Sequence, residues 1–162
     1  MNPARPVADW EPAMRRAVRL AMEALDTDDV PVGAVVLDPG GAEVGAGCNT
    51  REAAGDPTGH AEMMALRAAA AARGSWRLEG CTLVVTLEPC IMCAGAAGLA
   101  RVARVVYGAA DPKAGAAGSV WDLLRDRRLN HRPEVIGGVA ADETGELLRA
   151  FFARRRVDPP VR

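Results

Sequence analysis

Four side chains of this 162-residue chain have the types and spacing of a metal site with its own proton carrier. His60 and Glu62 open the stretch HAEMMALRA, and Cys90 and Cys93 close LEPCIMC. Cysteines three positions apart share one face of a first helical turn, so both can reach one ion. Thiolate and imidazole ligands in tetrahedral geometry indicate zinc. The partial positive charge at a helix N-terminus favours the thiolate form of both cysteines.

The ligand count decides the kind of site. Structural zinc is closed by four protein ligands, whereas catalytic zinc keeps three and leaves a place for water. Three are found here; the other histidine, His131, lies in a loop far along the chain. Two thiolates cancel the charge of the ion and weaken it as a Lewis acid, so a hydrolytic site needs a neighbouring base. Glu62 fits that need: it can take a proton from water and hand it to a leaving nitrogen. Either half-motif alone is weak, since H-x-E also reads as the polar start of an amphipathic helix. Their combination, with Pro89 before the first cysteine, makes a catalytic metal site the favoured reading. A non-enzymatic zinc module would need a fourth protein ligand.

The elements that must position these residues are legible in outline. Asp9 can cap a helix to about Leu25, with Met14, Val18, Ala21 and Leu25 at helical spacing. VPVGAVVLD reads as a buried strand, PGG as a turn and AEVGAGCN as the hairpin partner. The polar loop TREAAGDPTG leads to a helix from about His60 to Arg73, closed by Gly74. CTLVVTLE is a buried strand, and Pro89 starts a helix to about Ala100. RVVYGA is a fourth strand, ADPKAGAAGS a surface loop, VWDLLRDRR a short helix and EVIGG a fifth strand. A last helix spans about Asp142 to Arg156. Strands alternating with helices give an α/β fold with a mixed five-stranded sheet covered on both faces.

The length suits one domain over 1–162, with 1–8 and 157–162 as flexible tails. Apolar residues are 49% of the chain and aromatics 4%, so the core must be mostly Ala, Val, Leu and Met. No apolar run approaches the roughly 18 residues of a membrane span, and residues 1–15 lack the apolar region of a secretory leader. The expectation is a soluble cytoplasmic protein without a membrane partner. Its four cysteines are then thiols or ligands, and Cys48 and Cys81 plain buried residues. The net charge of −1 hides an asymmetry: residues 1–81 carry 8 basic and 12 acidic side chains, residues 82–162 carry 12 and 9. RDRRLNHR (125–132) and RAFFARRR (149–156) can bind phosphate backbones or serve as solvated faces.

H-x-E followed by P-C-x-x-C is the signature of the zinc-dependent nucleobase deaminases. Within them the chain closely resembles the bacterial tRNA-specific adenosine deaminases, through PVGAVV, GCN, DPTGHAEMMALR, TLEPCIMCAGA, RVVYGAADPKAGAAGS, LNHRPEV and LLRAFFARRR. The resemblance implies a cytidine-deaminase-like three-layer α/β/α sandwich. His60, Cys90 and Cys93 would hold one Zn2+ per subunit, and Glu62 would shuttle protons. Asn49 would hydrogen-bond the target base, with Val30 at the pocket wall. Asp111 and Lys113 would meet the nucleotide backbone, and Arg154, Arg155 and Arg156 would contact phosphates. The implied reaction is hydrolysis of adenosine to inosine at the wobble position of an arginine tRNA anticodon, by a homodimer acting on the anticodon stem-loop. The alternative is a deaminase of a free base or nucleoside of guanine or cytosine type. Three departures stand out: Ala110 where a charge is common, small residues at 97–101, and Gly59 where alanine is usual, which would loosen the helix start.

Overall fold

A computed structural model describes residues 10–157. Its sheet grows from a hairpin. The small and β-branched residues of Gly33–Leu37 form β1, buried on both faces over its first four positions. Asp38 turns the chain by accepting from the Ala42 N–H at 2.9 Å, and Glu43–Cys48 returns antiparallel as β2. Thr82–Leu87 (β3) pairs antiparallel with the other side of β1. Arg104–Ala109 (β4) and Glu134–Ile136 (β5) extend the sheet in parallel, giving the order β2-β1-β3-β4-β5. The expected mixed five-stranded sheet is present.

Helices cover both faces. Glu11–Glu23 (α1) starts with Pro12 in its first turn, where a missing N–H costs nothing. It buries Met14, Ala17, Leu20 and Ala21, and a core of Trp10, Met14, Ala17 and Leu20 packs on Val35, Val84 and Val106. The apolar stripe is rotated from the expected one: Val18 and Leu25 are half-buried, and Ala17 and Leu20 take the sheet side because small alanines let the helix approach β1 closely. A 3-10 turn, Ala24–Thr27, finishes this segment. The expected Asp9 cap lies outside the described residues. On the opposite face, Ala61–Arg73 (α3, after the short α2, Arg51–Ala54) and Ile91–Leu99 (α4) pack Ala61, Ala65, Ala69, Ala94 and Ala97 onto Ala34, Val36, Leu83, Val85 and Val105. The last helix, Ala141–Val157 (α5), crosses the end of β4, where the Thr144 hydroxyl accepts from the Ala109 N–H at 2.9 Å. These are the layers of an α/β/α sandwich.

Four local readings differ. Residues 51–54 form one helical turn within the expected loop, because buried Asp29 caps them: its carboxylate accepts from the Glu52 and Ala53 N–H groups at 2.8 and 3.1 Å. Only Leu123–Arg125 of the expected helix in VWDLLRDRR is helical, as a 3-10 turn. The 110–119 loop does not lie wholly on the surface: Gly115, Ala116 and Ala117 are buried. Val157, expected in a tail, is the last residue of α5.

Sheet topology gathers the chemistry. Gly33 is opposite Cys48, Ala34 opposite Val85, and Leu87 beside Ala109. The start of β1 and the ends of β2, β3 and β4 therefore meet at one edge. Val30, Asn49, Cys90 and Asp111 lie just beyond those strand ends.

Candidate metal centre and active site

Two helix N-termini deliver the metal ligands. His60 is the N-cap of α3 and Cys90 the N-cap of α4, both extended (ψ 149° and 176°), so their side chains leave the helices toward the same point. The helices begin one and two residues later than expected, which places His60 and Cys90 before them and Cys93 in the first turn of α4. The Nδ1 atom of His60 is 3.6 Å from Cys90 Sγ and 3.5 Å from Cys93 Sγ. A tetrahedral zinc with bonds of about 2.3 Å to sulfur and about 2.0 Å to nitrogen has an S···N edge of about 3.5 Å. The three donors fit that ion. They form the His/Cys/Asp/Glu cluster with metal-binding geometry among the described residues, and Glu62 is not a fourth member.

Neither helix is capped by its own N-cap side chain. The free N–H of Ala61 is instead satisfied by Asn49, whose Oδ1 accepts it at 2.9 Å. Asn49 lines the cavity, and with its oxygen so used, its amide NH2 is the group left to donate to a ligand. Gly59 does not loosen the helix start. Its N–H donates to Asp56 O at 3.0 Å, its carbonyl accepts from Thr50 N–H at 2.8 Å, and a Cβ there would press on Thr50 Oγ1 and Arg51 N at 3.0 and 3.1 Å.

The electrostatics suit a cation and a proton carrier. The thiol of Cys93 donates to Cys90, and with His60 this brings Cys90 down to about 4 against the cost of burial. The same hydrogen bond and burial raise Cys93. Hydrogen bonding to Cys90 raises His60, against burial. Glu62 is 4% exposed, and burial, the largest influence, lifts its carboxyl to about 7. A dication among the ligands favours the anionic form of all these acids.

A cavity of about 620 Å³ opens over the ligands. His60, Glu62 and Cys90 lie in its lining with Val30, Val32 and Leu87. Asp111 and Lys113 border it on one side, and α5 closes the other with Leu148, Arg149, Phe152 and Arg156. Of the three C-terminal arginines expected at phosphates, only Arg156 borders it. Arg154 is exposed elsewhere. Arg155 turns onto Asp28, bonding its carboxylate at 2.7 Å, and stacks on Phe151 at 4.7 Å. In the 125–132 cluster, which does not line the cavity, all four arginines are exposed; Arg125 pairs with Asp122, Arg128 with Asp126, and His131 Nε2 meets Val102 O at 2.7 Å.

Three further residues border the cavity, of which the sequence had marked only Arg149, as part of RAFFARRR. Arg51 and Arg149 add cations to its rim, and the buried Glu88 stands beneath it. The acid of LEPC was visible in the sequence, but nothing in its spacing says what it touches.

A sequence profile described as the cytidine and deoxycytidylate deaminase zinc-binding region matches residues 8–109. The chain belongs to this deaminase family. His60, Cys90 and Cys93 are accordingly positioned to bind the zinc of this family's zinc-binding region. It is 46% identical over 143 residues to the tRNA-specific adenosine deaminase of Bacillus subtilis, covering 88% of each chain. It is 56% identical over 144 residues to a tRNA(Ile)-lysidine synthase of Deinococcus deserti, covering 89% of this chain but 27% of that protein, so it spans about a quarter of that relative's length. A solved structure from a study of A-to-I editing by tRNA:A34 deaminases superposes with a TM-score of 0.81 at 40% identity, covering 84% of this chain and 98% of that one.

Proposed function

We propose that this deaminase converts adenosine to inosine at the wobble position of a tRNA anticodon. One observation carries the reading: the buried acid Glu62 and the ligands His60 and Cys90 line a cavity of about 620 Å³ that Arg51, Lys113, Arg149 and Arg156 also line. A free base has no backbone for four cations to hold, whereas an anticodon loop presents phosphates beside an exposed base. The similarity to tRNA-specific adenosine deaminases and to a tRNA:A34 deaminase structure supports the same substrate.

Bound zinc supplies the Lewis acidity that brings a water near deprotonation at neutral pH. The chain's own groups do the rest. The Asn49 amide donates to the base, and Val30 and Val32 wall it. Glu62 takes one proton from the attacking water and delivers it to N1 as oxygen bonds to C6. It then passes the second water proton to the exocyclic nitrogen, the C6–N bond breaks, and ammonia leaves. Adenosine and water become inosine and ammonia, with Glu62 returned to its starting state.

The enzyme works as one deaminase domain in the cytoplasm, where its thiol ligands stay reduced; no helix among the described residues is long and apolar enough to cross a membrane. A homodimer is supported by the outer side of α4, where Ile91 and Leu99 are 53% and 77% exposed and Gly95 and Gly98 leave open space. The deciding experiment incubates zinc-loaded protein with an anticodon stem-loop carrying A at the wobble position, and separately with adenine, guanine and cytidine. Inosine in the RNA with ammonia release is expected. Ammonia from a free base alone would overturn the reading.

A further inference from the structure

We propose that Glu88 is a positioning residue for substrate binding: its buried carboxylate ties the 111–119 loop to the strand end that carries Cys90.

The loop leaves β4 and must present Asp111 and Lys113 at the cavity. Its sequence, DPKAGAAGS, holds no large side chain that could anchor it by packing. Glu88, 2% exposed, supplies the anchor from inside. Its Oε2 accepts from the Asp111 N–H at 2.9 Å and from the Ser119 hydroxyl. Its Oε1 accepts from the Ala117 and Ser119 N–H groups, each at 3.0 Å. Three backbone donors from both ends of one loop thus converge on one carboxylate, as they do around a bound anion. A buried carboxylate without such donors would be costly, so the loop and the acid require each other.

The anchor also sets the loop against the metal segment. Glu88 is followed by Pro89 and Cys90. The Ala116 N–H donates to Pro89 O at 2.8 Å, and Gly115 forms an antiparallel bridge with Cys90. Gly115 is needed for this contact, since a Cβ there would collide with the Glu88 carboxylate and come within 2.6 Å of Asp111 O. Asp111 continues the order outward by accepting from Lys113 N–H and Ala114 N–H at 2.9 and 3.2 Å. Through these contacts Glu88 sets where Asp111 and Lys113 stand relative to Cys90, without being one of the metal ligands.

The substrate named in the test rests on the tRNA reading; the anchoring does not. Full-length zinc-loaded Glu88→Gln keeps the shape but places an NH2 against backbone donors. Two measurements are made: amide hydrogen exchange across 111–119 without RNA, and kcat and KM on the anticodon stem-loop. We expect exchange in the loop to accelerate at least about tenfold and KM to rise about tenfold with kcat within about threefold, the signature of lost uniform binding. Zinc content should stay at that of the parent. Gly115→Ala, which presses on the same carboxylate, and Ser119→Ala, which removes one donor, should move both readouts the same way, the latter less. A folded, zinc-loaded Glu88→Gln with parental exchange or parental KM overturns the proposal. If that variant does not fold, parental values in both other variants overturn it. A parent inactive on the stem-loop would overturn the substrate reading instead, and the exchange measurement would still decide the anchoring.

Discussion

Arg155 and Asp28, 127 positions apart, fasten the last helix to the loop that leads into Val30: the guanidinium donates to the Asp28 carbonyl at 2.6 Å and to its carboxylate at 2.7 Å. The pair ties α5, which brings Phe152 and Arg156 to the cavity, to the segment that brings Val30 to it. Asp28 is largely exposed, so the ion pair itself should contribute only about 0.2–1 kcal/mol. Arg155→Ala is expected to lower the melting temperature by a few degrees at most, about what a surface pair supports. Its KM for the stem-loop should rise severalfold as Arg156 loses its support. A double-mutant cycle with Asp28→Ala checks this, because two independent effects on KM would show no coupling.

Glu62→Gln removes the carboxylate proposed to carry protons and leaves the three ligands in place. Turnover should fall by about 10²–10⁴ for each proton transfer lost, with zinc content unchanged by atomic absorption. Near-parental turnover would show that another group moves the protons.

The ligand geometry predicts a different outcome for Cys93→Ala and His60→Ala. Each leaves two donors where a stable site needs three, so both should lose zinc on dialysis along with activity. In the parent, a chelator should abolish activity, and added Zn2+ should restore it.

Asn49 has two tasks that can be separated. Its Oδ1 satisfies the Ala61 N–H and its NH2 is left for the base. Asn49→Asp keeps the acceptor and loses the donor, so thermal stability should hold while stem-loop KM rises. Asn49→Ala loses both and should also cost about 1 kcal/mol of stability, the usual value of a helix cap. Thermal melts and steady-state kinetics on the two variants test the division.

Four cations on the rim make binding salt-dependent. Each phosphate neutralised on a single strand contributes a slope of about −0.7 in log K against log salt. Replacing Arg51, Lys113 or Arg149 by Ala should flatten the parental slope by up to that amount. A stem-loop affinity indifferent to salt would remove the case for backbone contacts.

The zinc set could be read directly because ligand chemistry is carried by residue type and short spacing: His60, Cys90 and Cys93 have few alternative uses in that pattern. The strands were legible for a similar local reason, since Gly33–Leu37 and Thr82–Leu87 are short apolar runs between turn signals. Helix starts were misplaced by one and two residues because His60 and Cys90 are N-caps, a distinction that depends on backbone angles. The one-turn helix at 51–54 escaped because its cap, Asp29, lies more than twenty positions away.

Residue types and their spacing along the chain thus picked out the metal-binding set and pointed to Glu62 as its acid, since these readings depend on what a side chain is. Which cations reach the cavity was decided only by the fold. Arg154, Arg155 and Arg156 look alike in sequence, yet one is exposed, one is held by Asp28 and one lines the site, because direction around a helix and partners from distant segments are properties of packing. Glu88 makes the same point from inside: its meaning lies in donors some twenty to thirty residues further on, which β4 carries back to it.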